Sequence, residues 1–121
     1  MLIVYDSLTG NVQRFINSLE IRCIKINDGL LTKEPFILVT YSTGFGQIPK
    51  STAEFLKLNS NYLKGVAVSG NKNWGEFYGK SGETISNYYN VPLLMKFEMS
   101  GTKKERDNFI MEVKQFDNIN S

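Results

Sequence analysis

The sequence predicts an α/β fold: a three-layer sandwich built on a five-stranded parallel sheet in the order 2-1-3-4-5. Three observations predict it. Short continuous apolar runs at Leu2–Tyr5, Phe36–Thr40, Val66–Ser69 and Pro92–Phe97 read as parallel strands buried on both faces. They alternate with segments of helical spacing through short connections, which places helices on both sides of one sheet, with right-handed crossovers restricting the topology. The loops rich in glycine, hydroxyl and aromatic residues all follow strands, so they gather beyond the carboxyl ends, where such sheets bind ligands.

Each element has its own signal. After the first strand, Val12, Phe15, Ile16 and Leu19 recur at helical spacing, giving a helix over Val12–Leu19. Ile21, Cys23, Ile24 and Ile26 form a brief second strand at an edge. Asn27-Asp28-Gly29 is turn chemistry, and Leu30–Glu34 is a connection. Pro35 opens the third strand, and a glycine-containing loop, Tyr41–Lys50, is closed by Pro49. A helix spans Ser51–Leu58, with Lys50 or Ser51 near its cap. Gly65 leads into the fourth strand, and Gly70–Gly75 is a polar loop. Ser81 starts a helix that runs to Tyr89. The fifth strand is followed by Met99–Thr102, with Thr102 capping a last helix over Lys103–Phe116 whose inward residues are Phe109, Ile110, Val113 and Phe116.

Composition narrows the function. The 121 residues make one domain by size, 1–121, and 41% apolar with 21% charged residues is ordinary globular usage. A net charge of +2 with scattered Lys and Arg argues against nucleic acid, which calls for a clustered basic face. The single cysteine, Cys23, excludes an internal disulfide and reads as a small core residue. The chain has no histidine, which removes the usual general base, the commonest metal ligand and any Ser-His-Asp triad. No metal set is expected. Met1 opens directly on a strand and no apolar run approaches a membrane span, so a soluble cytoplasmic protein is expected.

The loops carry the chemistry. Ser7-Leu8-Thr9-Gly10-Asn11-Val12 stands between a strand and a helix start, where free backbone N–H groups and two hydroxyls suit a phosphate. It lacks the lysine of a Walker loop and the three glycines of a dinucleotide turn, so neutral donors are expected to hold a terminal phosphate monoester without an ion pair. The same turn also reads as an ordinary N-capped helix, with Thr9 or Asn11 as the cap. Tyr41-Ser42-Thr43-Gly44-Phe45-Gly46 combines hydroxyls, aromatic rings and flexible glycines. Ser69-Gly70-Asn71-Lys72-Asn73-Trp74-Gly75 holds the only tryptophan, either a stacking plate or an anchor that pins the loop. A phosphate turn, an aromatic plate and flexible glycines point to a planar mononucleotide. FMN fits better than ATP because no basic or magnesium-holding group is expected near the turn.

The turn Ser7-x-Thr9-Gly10-Asn11 resembles the flavodoxin phosphate loop. Jointly, Thr9-Gly10-Asn11-Val12-x-Arg14-Phe15, Gly44-Phe45-Gly46-x-x-Pro49, Gly65-Val66-Ala67-x-Ser69-Gly70-Asn71-x-Asn73-Trp74-Gly75 and Lys96-Phe97-Glu98-x-x-Gly101-Thr102 resemble the NrdI family over nearly the whole chain. Where flavodoxins usually carry a hydroxyl residue, this chain has Val12, which leaves only a backbone N–H there. The resemblance implies a flavodoxin-like domain that binds FMN noncovalently. Its reduced flavin would convert oxygen to superoxide or a peroxide-level oxidant. That oxidant would serve assembly of the dimanganese-tyrosyl radical cofactor in the radical-generating subunit of class Ib ribonucleotide reductase. Such a protein is a redox accessory fed by a separate reductant, not a stand-alone metabolic enzyme, and the flavin carries the chemistry. The alternative is a general flavodoxin-type electron carrier. A receiver-like signalling domain of the same topology is disfavoured, because it needs an Asp after the third strand and Tyr41–Gly46 has none.

The expected FMN contacts are Ser7, Leu8, Thr9, Gly10, Asn11 and Val12 at the phosphate; Tyr41, Ser42, Thr43, Gly44, Phe45 and Gly46 after the third strand; Ser69, Gly70, Asn71, Asn73, Trp74 and Gly75 after the fourth; and Met99, Ser100 and Gly101 after the fifth. No side chain is expected to be catalytic. Gly44 is expected to supply a peptide that switches its hydrogen bonding at flavin N5; the rival reading is that Gly44 merely makes a tight turn, with Gly46 an equal candidate for the switch.

Overall fold

A computed structural model of the chain describes the backbone of residues 1–120 and the side chains of residues 1–117. The strands are β1 (Leu2–Tyr5), β2 (Cys23–Lys25), β3 (Phe36–Tyr41), β4 (Leu63–Gly70) and β5 (Leu93–Glu98), and the helices α1 (Asn11–Asn17), α2 (Lys50–Asn59), α3 (Lys80–Tyr89) and α4 (Lys103–Asn120). One sheet orders the strands β2-β1-β3-β4-β5, every neighbouring pair parallel, as expected. β1 pairs with β3 from Leu2↔Phe36 to Tyr5↔Val39, so the sequence order of the strands reverses between these two. Their carboxyl ends open the crevice at which open α/β sheets take ligands.

Strand alternation divides the core between the two faces. Ile3, Tyr5, Ile37 and Val39 face α1 and α4, where they bury Phe15, Ile16, Phe109 and Val113. Leu2, Val4, Phe36 and Leu38 face the opposite way, onto Phe55 and Leu56 of α2 and Ile85 of α3. Phe97 of β5 stacks on Phe15 with ring centroids 3.9 Å apart, and Phe109 meets Phe15 edge-on at 5.4 Å. Ile110 and Phe116 pack at the margin of the same cluster, which agrees with the expected inward face of α4.

Several boundaries differ from the sequence reading, each for a tertiary reason. β4 begins at Leu63, so Gly65 lies inside the strand. Pairing of Gly65 with Ile37 of β3 outweighs glycine's poor strand propensity. α1 is capped at Gly10, which has φ 93°, and neither Thr9 nor Asn11 caps it. Instead Ser7 Oγ accepts the Gln13 N–H at 3.2 Å. Ser51 and Ser81 lie within their helices and cap neither. The Ser51 hydroxyl donates to the buried Asp6 carboxylate, and Ser81 donates to the Tyr41 carbonyl at 2.9 Å. β2 is only three residues long, with Ile21 and Ile26 outside it, and Cys23 at the edge is only half-buried. Thr102 does cap α4. Its Oγ1 accepts the Glu105 N–H at 3.1 Å while Glu105 accepts the Thr102 N–H at 2.9 Å, a reciprocal capping box. Among the described residues, no helix is long and apolar enough to cross a membrane.

Candidate functional site

A cavity of about 400 Å³ opens beyond the carboxyl ends of β1, β3, β4 and β5. It is lined by Ser7, Leu8, Thr9, Asn11 and Val12 from the first turn, Tyr41, Ser42, Thr43, Gly44 and Gly46 from the second, Ser69, Gly70, Asn71 and Trp74 from the third, and Met99 from the last. Four loops far apart in sequence thus converge because each follows a parallel strand. Six of the expected contacts lie outside this lining: Gly10, Phe45, Asn73, Gly75, Ser100 and Gly101. Gly10 forms the outer side of its turn against the Arg14 guanidinium, and Gly101 lies against the Phe15 ring. Ser100 is drawn into a polar network with Arg14 and Asn11. Phe77 and Gly79 line the cavity although the sequence reading passed over them. Their signal was the aromatic pair Phe77-Tyr78 before a glycine, a continuation of the tryptophan loop.

The first turn presents donors. The earliest hydrogen bond of α1 runs from the Arg14 N–H to the Gly10 carbonyl at 2.9 Å. Among the described residues, the N–H groups of Gly10, Asn11 and Val12 meet no carbonyl. Ser7 Oγ uses an acceptor lone pair on Gln13, which leaves its proton to donate elsewhere. The Val12 side chain is buried in the core, so its backbone alone faces the turn. The expectation of a turn free of cations meets one addition. Arg14 folds back on the turn's outer side, donating from Nη2 to Asn11 Oδ1 at 2.6 Å and from Nε to Ser100 Oγ at 2.9 Å. Asn11 Oδ1 also accepts from Ser100 Oγ at 3.2 Å. Arg14 stands three residues beyond Asn11 on one helix, the spacing at which side chains meet.

The rim at the tryptophan loop is aromatic. Trp74 is 49% exposed and Phe45 67% exposed, which for large apolar side chains marks a surface ready to be covered. Phe45 meets Trp74 edge-on at 5.8 Å and Phe77 at 5.7 Å. Behind the floor, the Asp6 carboxylate accepts from Thr52 Oγ1 at 2.7 Å as well as from Ser51. Thr52 spends its one proton on Asp6, so Thr40 is the donor in their mutual 2.8 Å bond. Burial first, and then the Asp6 charge, push the Tyr41 phenol above its ordinary range, while its bond with Ser51 opposes them. Tyr41 therefore stays neutral at physiological pH.

The family model described as NrdI Flavodoxin like matches residues 3–111. The chain belongs to the NrdI flavodoxin-like family. It is 50% identical over 114 residues to Protein NrdI of Bacillus licheniformis, covering 93% of this chain and 87% of that one. It is 44% identical over 121 residues to the SPbeta prophage-derived protein NrdI of Bacillus subtilis, covering 97% and 94%. Among solved structures it superposes on a short-chain flavodoxin associated with a non-canonical PDU bacterial microcompartment, with TM-score 0.77 and 16% identity over 99% of this chain and 97% of that chain. Oxidised flavodoxin 1 from Bacillus cereus gives TM-score 0.69 at 15% identity, over 97% and 96%. These two likenesses show the fold. Membership in the NrdI family implies a flavin cofactor, and the residues present fit one: unengaged N–H groups and hydroxyl donors in the first turn, and an exposed tryptophan ring in the same cavity lining.

Proposed function

We propose that this chain is an FMN-binding redox protein whose reduced cofactor delivers a superoxide- or peroxide-level oxidant to the dimanganese subunit of a class Ib ribonucleotide reductase. One observation carries the cofactor reading: a donor-rich turn and the only tryptophan line one cleft. The terminal phosphate lies at the first turn, held by Ser7 and Thr9 hydroxyls and the N–H groups of Gly10 to Val12. Trp74 covers one face of the ring system, with Thr43–Phe45 along its edge or other face. Bound FMN supplies the electrons and the reaction with oxygen; the protein binds, orients and shields. The relatives' NrdI names support the ribonucleotide reductase partnership.

The peptide after Gly44 is our choice for the group facing N5. Gly46 is buried, its N–H bonds the Thr43 carbonyl at 3.1 Å, and a Cβ there would lie 2.5 Å from Lys80 Cβ. Gly44 is exposed, and the peptide after it is untied: neither the Gly44 carbonyl nor the Phe45 N–H has a backbone hydrogen bond among the described residues, whereas the peptide after Gly46 is held by its Gln47 N–H on the Thr43 carbonyl at 2.8 Å. A Cβ on Gly44 would also meet an atom at 2.5 Å, but that atom is the Oε1 end of the flexible Gln47 side chain, so Gly44 is the glycine whose following peptide can turn.

Titration of the flavin-free protein with FMN, followed through Trp74 emission, tests the cofactor reading. Strong quenching at a defined stoichiometry is expected; unchanged emission would remove Trp74 from the site. Oxygenation of the reduced protein with the manganese-loaded partner subunit then separates an activator from a simple electron carrier. The activator yields a tyrosyl radical in the partner, read by electron paramagnetic resonance, and the carrier yields none.

A further inference from the structure

Lys96, Phe97 and Glu98 close β5, and the cofactor reading assigns none of them a role. Phe97 is buried on the α1 and α4 side of the sheet, so alternation directs Lys96 and Glu98 together to the other side. There each holds one end of the aromatic segment. Glu98 Oε2 accepts the Lys72 N–H at 3.0 Å, where the segment enters. Lys96 Nζ donates to the Tyr78 carbonyl at 3.1 Å, where it leaves, and stands 5.7 Å from the Tyr78 ring centroid. Lys96 is itself held by Glu83 of α3 through a 2.7 Å ion pair.

Between these two points lie Trp74 and Phe77. The segment Lys72–Phe77 contributes no buried residue, and its 3-10 turn is broken at Gly75, with φ 58° and ψ −119°. Its other backbone bonds are local: Trp74 N–H to the Asn71 carbonyl at 3.0 Å, Tyr78 N–H to the Gly75 carbonyl at 3.0 Å, and Asn73 N–H to Asn71 Oδ1 at 2.9 Å. Local bonds give the segment shape but do not fix it to the sheet. Phe45 touches it from a loop that is itself exposed. The two bonds from β5 each involve a charged group, the stronger kind of hydrogen bond, and they reach a rigid strand.

We propose that Lys96 and Glu98 are positioning residues: an ion of each sign, two residues apart on β5, clamps the two ends of the aromatic segment and so sets the cleft's affinity for a planar ring system. The inference rests on the reading of the cleft as a flavin site. Because Trp74 is the only tryptophan, it reports on the segment with or without ligand.

The test compares Lys96→Met and Glu98→Ala with the conservative Lys96→Arg and Glu98→Gln. Acrylamide quenching of Trp74 is measured without flavin, and dissociation constants are measured for FMN and riboflavin. Lys96→Met and Glu98→Ala should raise acrylamide quenching and weaken both ligands by about tenfold, the scale of one lost hydrogen bond to a charged group. The FMN-to-riboflavin ratio should hold, because the phosphate turn is untouched. Lys96→Arg and Glu98→Gln, which keep a donor and an acceptor, should restore both readouts. Wild-type quenching and affinities in Lys96→Met and Glu98→Ala, or losses that the conservative variants fail to restore, would overturn the clamp. If Lys96→Met does not fold, Glu98→Ala carries the test alone. If the wild-type protein binds neither FMN nor riboflavin, the flavin reading fails while acrylamide quenching still decides the clamp.

Discussion

Thr9 and Glu83 show how single side chains in this protein can be separated by ligand and by pH. Thr9 is exposed at the first turn, and its hydroxyl has no hydrogen-bond partner among the described residues, so it is free to donate to a phosphate oxygen. Thr9→Ala should weaken FMN by roughly 1.5–3 kcal/mol, the scale for hydrogen bonds to charged groups, and leave riboflavin nearly unchanged. Equal weakening of both ligands in parallel titrations would move the phosphate elsewhere. The Lys96 ammonium, bonded to Glu83, holds that carboxyl below its ordinary range against the opposing effect of burial. A carboxyl depressed on folding stabilises the native state above its unfolded value, about 4.3, and that contribution is lost as pH falls through the lower folded value. Glu83 is partly exposed, so solvent screens the pair and the effect is small. Thermal midpoints from about pH 6 down to pH 3 should fall less steeply in Glu83→Gln than in wild type.

At the scale of the element, the loop after β3 is a tight hairpin in miniature. Thr43 and Gln47 bridge antiparallel, with Thr43 N–H on the Gln47 carbonyl at 2.9 Å and Gln47 N–H on the Thr43 carbonyl at 2.8 Å. The closed base leaves Gly44 at the exposed tip with φ 51°, a conformation that strains a β-branched residue. Oxidised flavin N5 accepts a hydrogen bond and reduced N5 donates one, so a peptide serving both states would have to offer its N–H to the first and its carbonyl to the second. Gly44→Val should lower the reduction midpoints while changing the oxidised-FMN dissociation constant less. Paired potentiometry and binding on wild type and variant would show it, and unmoved midpoints would place the switch elsewhere. The two glycines were equal candidates in sequence. Packing favours Gly44, because Lys80 Cβ and the Phe77 carbonyl arrive from a distant helix and loop to lie over Gly46, whereas Gly44 meets only the flexible end of Gln47.

At the scale of the whole molecule, the packed core and the aromatic rim of the cleft are distinct. Phe97 is fully buried and stacked on Phe15, where it joins β5 to α1 and α4. Phe97→Ala should cost about 3–5 kcal/mol in urea unfolding, the range for removing a buried aromatic side chain. Trp74 is equally large but half exposed, and Trp74→Ala should change stability by no more than about 0.5 kcal/mol while weakening flavin binding. A fold with its core in two clusters on either side of the sheet can carry exposed rings along one rim, since the loops there contribute little to the packed interior.

By itself the sequence determined the strands, the faces they bury, the order of the sheet and the edge at which its loops gather. These follow from apolar runs, helical spacing and the handedness of short crossovers, all written along the chain. The donor turn from Ser7 to Val12 and the tryptophan loop were legible for the same reason, since each is a contiguous stretch beside a strand. Only the tertiary structure decided which hydroxyls cap helices and which serve a distant partner. Ser51, read as a possible cap, donates to Asp6, 45 residues away, and Arg14 reaches Ser100 across 86. It also decided that Phe77 and Gly79 line the cleft, and that Lys96 and Glu98 grip the two ends of one segment. Such choices are competitions between a local backbone partner and a charged or polar group brought close by folding. A charged carboxylate or guanidinium binds a donor or acceptor more strongly than a neutral local partner does, and its proximity exists only once the sheet has assembled.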